Sequence, residues 1–413
     1  MDTSHVGEGS IALVVSALLS TAGGFAVHKA ISASGGTFIQ AGLSGYDLCK
    51  KNTKTLIPES MGMISGTVFL MVMFLFTGIQ FSRHVLASEK NFPHMVFEQL
   101  LTALLCICCM LLLGFADDVL NLKWRYKLVL PTLASLPLLM THYVKFGSTT
   151  VVVPLLLRPL LGPSLNIGVL YYLYMSLLAV FSTNAINIYA GVNGLEVGQS
   201  VVMATSIAVF NLVELKGFHS SAHHLSLCLL MPFIATSFAL FLHNKYPARA
   251  FVGDTFTYFA GMTFAVVGIL GHFSKTVMLF FIPQLVNFAY SLPQLFRVIP
   301  CPRHRLPQYN AELDKLEYSR TTVRVKSLNP LVYRTICLLS ALRLMAAEVT
   351  EKDAKHDGET TITVNNLTLI NLVLVWSGPM HERTLVWTLL ALQACGSALA
   401  FVIRYPLASL FYD

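Results

Sequence analysis

The apolar positions of this chain gather in uninterrupted runs near 20 residues long, separated by short polar segments. Ten such runs stand out, at 11–31, 62–81, 97–116, 128–146, 168–186, 197–213, 225–242, 255–271, 276–297 and 385–406. A helix of about 20 apolar residues is long enough to cross the hydrocarbon core of a bilayer. The pattern predicts an all-α polytopic membrane protein with about ten transmembrane helices. The first run does not read as a cleavable signal, because residues 1–10 contain Asp2 and Glu8 but no Lys or Arg, whereas a signal's leading segment is basic.

Only one connecting segment, 298–384, is long enough for a polar subdomain. The expected organisation is residues 1–297 as nine spans with their loops, 298–384 as a small mixed α/β insertion between the ninth and tenth spans, and 385–413 as the tenth span and tail. Within the insertion, Leu316–Val325 and Thr361–Leu374 are rich in Thr, Val and Tyr and read as short strands. Residues 331–347 read as an amphipathic helix and Glu348–Glu359 as a charged, mobile stretch. No internal repeat is evident.

Composition supports the membrane reading. Apolar types make up 55% of the 413 residues and charged ones 12%, roughly half the charged share of an ordinary globular protein. A water-soluble surface needs charge at about a quarter of its positions. A soluble enzyme, a disordered chain, a coiled coil and a disulfide scaffold are all excluded. Among the eight cysteines the one CxxC spacing, Cys106 to Cys109, lies inside an apolar run where cysteine behaves as a small hydrophobe, so neither zinc nor redox chemistry is suggested.

The net charge of +7 could suggest nucleic acid, but the basic residues border membrane spans, so no nucleic-acid partner is expected. If the spans alternate, 19 of the 28 Lys and Arg residues fall in the loops of one side and five in those of the other. The positive-inside rule makes the richer side cytosolic, and the bias keeps its direction without the long segment, at eight against five. Both termini then face away from the cytosol.

Chemistry-bearing residues gather on that same side. Asp117 and Asp118 end the third run, with Lys123, Arg125 and Lys127 just beyond. Adjacent carboxylates are hard to ionise together unless a cation is near, and acids at a helix C-terminus oppose its dipole. Phosphate or metal chemistry accounts for them better than helix stability does. Asn184 and Asn187 lie three apart, hence on one helical face. Amide oxygens there can ligate a hard cation or bond a nucleobase edge, although bonding between helices would also account for them. Gly191 and Gly194 would let a ligand approach the main chain.

Asp254 follows Gly253 at the start of the eighth run, where a helix N-cap is the structural alternative. With Asp117, Asp118 and Asn187 on the same side, a magnesium site completed by water and substrate phosphates is plausible chemistry. Past the ninth run, Pro300-Cys-Pro302-Arg303-His304-Arg305 carries two guanidiniums suited to phosphate or sugar oxygens. A charge cluster that simply ends a span is the alternative. Asp47-Leu48 and Pro58-Glu59-Ser60 are weak signals alone. Asn366-Leu-Thr368 fits a glycosylation sequon but is expected on the cytosolic side and unmodified.

Taken together, IPES (57–60), GFADDVLNLKWRYK (114–127), NAINIYAGVNGLE (184–196), FVGDTF (251–256), AGMTFAVVGILGHFSKT (260–276) and PCPRHR (300–305) resemble the eukaryotic dolichyl-phosphate N-acetylglucosaminephosphotransferases. These form a branch of the polyprenyl-phosphate sugar-1-phosphate transferase superfamily, and the likeness runs from about Gly45 to the C-terminus. The resemblance implies transfer of N-acetylglucosamine 1-phosphate from UDP-GlcNAc to dolichyl phosphate, with Mg2+ as cofactor. It implies Asn187 and Asp254 as metal ligands, and Asp117, Asp118 and Lys127 as the phosphate-transfer centre.

Leu48, Gly191, Asn193 and Phe251 then match the uridine pocket, with Phe251 stacking on the base and Glu59 meeting the ribose. Arg303, His304 and Arg305 match the segment that reads the sugar and diphosphate, and Asn184 joins the substrate-binding set. Tyr46 stands where the family pattern has glutamine. A multi-pass protein of the endoplasmic reticulum membrane is implied, with a cytosolic active site and a lumenal N-terminus; a homodimer is compatible with it. The competing class is a transporter of an anionic or nucleotide-linked substrate. Transporters tend to place ionisable groups at the bilayer midplane on broken helices in paired repeats, whereas here the acids lie at span ends on one side.

Overall fold

The computed structural model describes residues 3–50, 55–86, 92–147, 149–302, 305–353 and 359–412. The bundle is built of α1 (Thr3–Gln40), α2 (Gly62–Leu86), α3 (His94–Leu120), α4 (Tyr126–Phe146), the short α5 (Arg158–Leu161), α6 (Val169–Ile188), α7 (Leu195–Glu214), α8 (Ser220–Asn244), α9 (Gly253–Leu270), α10 (Ser274–Phe280) and α11 (Ile282–Leu295). The insertion adds α12 (Pro330–Ala341) and α13 (Leu369–Ser377), and α14 (Glu382–Val402) returns to the bundle.

Among the described residues, eight helices are long and apolar enough to cross a membrane, or nine if the bent α10–α11 pair counts as one span. The fourth predicted run is α4, 21 residues long with Pro131 and Pro137 inside it. The ninth is not a continuous span: its halves meet at 71°. Pro283 at the start of α11 has no N–H to continue the helical ladder. Beside this break the carbonyl of Phe280 accepts from the Gln393 amide at 2.9 Å, within a buried cluster in which Gln284 bonds both Gln199 and Gln393.

Helix α9 is the pillar of the bundle, with every residue from Thr255 to Leu270 buried. Small residues let its neighbours come close. A Cβ on Gly114 of α3 would lie 2.6 Å from the Thr255 Cα, and Gly261 meets the main chain of Ser182 and Thr183 on α6. Without interhelical hydrophobic drive in lipid, such close contact supplies the packing energy. It also fixes where the first turn of α9 meets the last turns of α3 and α6.

Two hairpins cap opposite ends. β1 (Ser44–Tyr46) pairs with β2 (Leu56–Pro58) beside the α9 N-terminus, and β3 (Thr150–Val152) pairs with β4 (Ser164–Asn166) at the far end. The insertion holds the β5 (Gln308–Asn310) and β6 (Lys315–Glu317) hairpin. It also holds an antiparallel sheet of β7 (Arg320–Arg324), β8 (Ala347–Asp353) and β9 (Glu359–Asn365), ordered β7-β9-β8. Its own core includes Val323, Ile336, Met345, Ile362 and Val364.

Three sequence readings in the insertion need correction. The helix expected over 331–347 ends at Ala341, and Ala347 already belongs to β8, paired with Val364. Residues 369–374 are helical, not extended: Thr368 accepts from Asn371 N at 3.3 Å and starts α13, and a short apolar run cannot be assigned by periodicity alone. Residues 348–353 are strand, because Glu348, Val349, Thr350 and, past an irregularity in register, Asp353 pair with β9; residues 354–358 lie outside the described part.

The insertion hangs from a polar stripe on α11. Asn287 Oδ1 accepts from Leu369 N at 2.8 Å, the Ser291 hydroxyl donates to Leu367 O at 2.7 Å, and Gln294 Oε1 accepts from Leu367 N at 2.7 Å. Spacings of four and three put these side chains on one face. Asn366, the sequon residue, is itself buried and donates to Ser319 Oγ.

Candidate active site

The two aspartates that end α3 are adjacent in sequence but bonded to different parts of the fold. Asn121 takes a left-handed conformation at φ 49° and ends the helix, its N–H bonded to Asp117 O. The chain then turns, and Leu122 N donates to Asp117 Oδ1 at 2.9 Å. Asp117 Oδ2 accepts from the Tyr258 hydroxyl at 2.9 Å and pairs with Lys127 Nζ at 2.8 Å. The same ammonium lies 2.9 Å from Asp254 Oδ2. Asn187 Nδ2 donates to Asp254 Oδ1 at 2.8 Å.

One turn before Asn187, the Asn184 amide holds the carbonyl of Lys127 at 3.2 Å. A carboxylate as buried as that of Asp117, 1% exposed, is costly unless paired and hydrogen-bonded. Lys127, Tyr258 and the Leu122 N–H meet that need.

Asp118 has a different task. Its Oδ1 accepts from Asp254 N at 2.6 Å, while its Oδ2 accepts from Thr255 N at 3.2 Å and from the Thr255 hydroxyl. It therefore caps α9 from another helix, offering a negative charge to otherwise unpaired N–H groups. This replaces the N-cap alternative for Asp254, which lies inside α9 with its carboxylate turned to Lys127 and Asn187. Gly253, at φ +72°, is packed against the Asp118 carboxylate where a side chain would collide.

Beside this cluster lies a cavity of about 300 Å³. Leu48, Glu59, Asn187, Gly191, Asn193, Phe251 and Asp254 line it, together with Tyr46, Glu196 and Leu306. Lys127, Asp117, Asp118 and Asn184 stand behind or beside its wall. The loop after α6 is shaped by Gly191 and Gly194, both at positive φ. Glu196 Oε1 accepts from Gly191 N at 2.9 Å, and Glu382 Oε1 from Asn193 N at 2.8 Å. Asn193 Nδ2 donates to Asp47 Oδ2 at 2.7 Å, and Asp47 Oδ1 accepts from Cys49 N at 3.1 Å, an Asx turn in which Leu48 is 64% exposed.

Burial pushes the Cys49 thiol up to about 12, so it stays protonated and unreactive. Phe251 N donates to Pro58 O at 2.8 Å and Met61 N to Phe251 O at 3.0 Å, which ties the segment before α9 to the β1–β2 hairpin. Glu59 is open to the cavity, yet its carboxyl lies above its ordinary range, first through partial desolvation and then through the charge of Asp118.

Arg303 and His304 lie outside the described residues. Arg305 is described: its carbonyl accepts from the Asn371 amide at 3.0 Å, and Leu306 packs against Gly191, bringing this segment to the cavity rim. Sequence reading missed Tyr258, Thr255 and Glu382. The acid following a histidine at the head of the last span was the available signal for Glu382.

All these groups sit at one end of the bundle. The description glycosyl transferase family 4 matches residues 100–272, which contain Asp117, Asp118, Lys127, Asn187 and Asp254. A UDP-N-acetylglucosamine–dolichyl-phosphate N-acetylglucosaminephosphotransferase of Saccharomyces cerevisiae is 42% identical over 98% of this chain and 94% of its own length. One from Dictyostelium discoideum is 43% identical over 95% and 89%, and one from Schizosaccharomyces pombe is 42% identical over 92% and 88%. The chain belongs to this family of phosphotransferases.

Family membership favours catalysis over the transport reading, and the geometry agrees with it. The ionisable cluster of this phosphotransferase sits at helix ends beside an open cavity, not at mid-span. An undecaprenyl-phosphate N-acetylglucosaminyl 1-phosphate transferase of Bacillus subtilis, described as probable, is 30% identical over 41% of the chain.

Proposed function

We propose that the chain transfers N-acetylglucosamine 1-phosphate from UDP-GlcNAc to dolichyl phosphate at the cytosolic face of the endoplasmic reticulum membrane. This would be the first step of dolichol-linked oligosaccharide synthesis. The observation that carries the reading is the convergence of Asp117, Lys127, Asn187 and Asp254 beside a cavity walled by Leu48, Asn193 and Phe251. The kinship to enzymes of that name supplies the substrates.

An oxygen of dolichyl phosphate attacks the sugar-bearing phosphorus of UDP-GlcNAc. The bond to the bridging oxygen breaks, and UMP leaves with that oxygen. A phosphate monoester is largely dianionic at neutral pH, its second pKa being about 6, so no strong base is required. The chain's task is to bring two anions together. Lys127, held between Asp117 and Asp254, offers its ammonium to the approaching oxygens. Phe251 offers a face to the uracil, and Glu59 accepts from the ribose hydroxyls. Arg303, His304 and Arg305 complete the sugar end.

The donors at the cavity floor suit a hard cation. Asp254 is a carboxylate, and Asn187 gives its amide nitrogen to Asp254, leaving its oxygen as the ligating end. Magnesium held by these two residues would offset the diphosphate charge and stabilise the departing UMP. The purified chain is expected to move radiolabel from UDP-GlcNAc into lipid with stoichiometric UMP, to stop when magnesium is chelated, and to resume when it is restored. Transfer at full rate in chelator rejects the metal assignment, and absence of labelled lipid under all conditions rejects the reaction.

Glu59 gives the reading a pH signature. Its raised pKa means that it takes up a proton at higher pH than an ordinary carboxylate as the solution is acidified. The neutral acid is a poorer acceptor for ribose hydroxyls. The KM for UDP-GlcNAc is expected to rise on acidification below neutrality, and Glu59→Gln to flatten that rise while starting from a higher KM. Identical profiles for the two proteins would remove Glu59 from the nucleotide site.

A further inference from the structure

We infer that Glu382 is a positioning residue for the nucleotide, setting the cavity wall from behind through the main chain of Asn193. The inference rests on reading Leu48, Gly191, Asn193 and Phe251 as the nucleoside wall, and it adds a residue from the far end of the chain. Glu382 opens α14 and is 3% exposed. It does not line the cavity. Its Oε1 accepts from Asn193 N at 2.8 Å, and its Oε2 has no hydrogen-bond partner among the described residues. A buried carboxylate with so few partners is a poor stabilising device, since an apolar residue of similar volume would usually serve stability better. The N-terminus of α14 offsets only part of that cost.

What Glu382 does hold is a loop that would otherwise be loosely defined. Gly191 and Gly194, at φ +114° and +93°, give the segment between them little intrinsic preference for one shape. Two carboxylates restrain it, Glu196 at Gly191 N and Glu382 at Asn193 N. Asn193 is thereby fixed at its main chain by Glu382 and at its side chain by Asp47. The acid oxygens of Asp47 and Glu382 come within 4.8 Å of each other and of the Cys49 sulfur. Asp47 in turn shapes the turn at Leu48. The start of α14 is braced on the same layer, since the His381 ring packs edge-on to Tyr246 at 4.7 Å and Lys50 lies 5.0 Å from the centre of that ring. Losing the acceptor at Glu382 frees Asn193 and, through Asp47, Leu48. Asn193 and Leu48 are assigned no part in holding the lipid acceptor, so its KM serves as the control.

The test uses the full chain in lipid nanodiscs and compares Glu382→Met, Glu382→Gln and Asn193→Ala. Glu382→Met keeps the volume and removes the acceptor. It is expected to raise the KM for UDP-GlcNAc about tenfold, as losing a hydrogen bond to a charged group would, while the KM for dolichyl phosphate and the thermal midpoint barely move. Glu382→Gln keeps an oxygen for the Asn193 N–H and is expected to stay close to wild type. Glu382→Leu carries the same test if the methionine variant does not fold. The inference is overturned if the acceptor-less variants leave the UDP-GlcNAc KM unchanged, if they raise both KM values alike, or if glutamine fails as badly as methionine. Asn193→Ala separates the two readings. Should it also leave the UDP-GlcNAc KM unchanged, the nucleoside wall itself is misassigned; should it raise that KM while Glu382→Met does not, only the role of Glu382 falls.

Discussion

Asp254→Ala abolishes transfer, by at least about a thousandfold, in a protein that still folds. The carboxylate meets Lys127 on one oxygen and the Asn187 amide on the other, so one substitution removes the partner of both. Folding should survive because Lys127 keeps Asp117 at 2.8 Å and is itself 23% exposed, and a partly exposed ion pair contributes little to stability. The first turn of α9 also keeps its cap, which comes from Asp118 and not from Asp254. Turnover and thermal midpoint measured on the same preparation check this, with Asp254→Asn as the variant that keeps a polar group but loses the charge. Turnover near wild type in the alanine variant would remove Asp254 from the centre.

Gly253→Ala is expected to damage both fold and activity although it adds a single methyl group. The new Cβ would lie 2.8 Å from the Asp118 carboxyl carbon and 2.9 Å from its Oδ1. The φ of +72° adds the usual cost of a left-handed conformation for an L residue, about 1 kcal/mol or more. Relief requires Asp118 to give up donors on Asp254 and Thr255, leaving helix-start N–H groups unpaired at about 1–3 kcal/mol. Because Asp254 is the next residue, a displacement of that turn on the order of 1 Å should cost about a hundredfold in turnover. A fall of several degrees in the thermal midpoint together with a loss of transfer is the expected result. A variant with wild-type stability would mean that Asp118 does not hold the helix as described.

The membrane-spanning organisation and most of the site were legible in the sequence because both rest on local signals. Runs of about 20 apolar residues announce spans whatever they pack against. Asp117, Asn187 and Asp254 stood out because charged or amide groups at span ends on one side need a reason to be there. The division of labour between Asp117 and Asp118 was not legible. Neighbours in sequence look alike until a helix start 136 residues away claims one of them and Lys127 the other. Glu382 was missed for the same reason, since its partner Asn193 is 189 residues distant.

The misreading of 369–374 had a different origin. An apolar run rich in β-branched residues suits a strand or a buried helix equally, and the Thr368 cap decided it. The break in the ninth span was marked by Pro283, yet the Gln393 amide that bonds Phe280 beside it comes from another helix.

The stripe of Asn287, Ser291 and Gln294 joins the rim of the site to the bent α10–α11 pair. These three side chains grip residues 366–369, and through Asn371 they anchor the stretch that carries Arg305 and Leu306. All three lie on the far arm of a helix elbowed at 71°. Leu306, which packs against Gly191 at the cavity rim, therefore takes its place from the arm that carries the polar stripe as well as from the loop it touches.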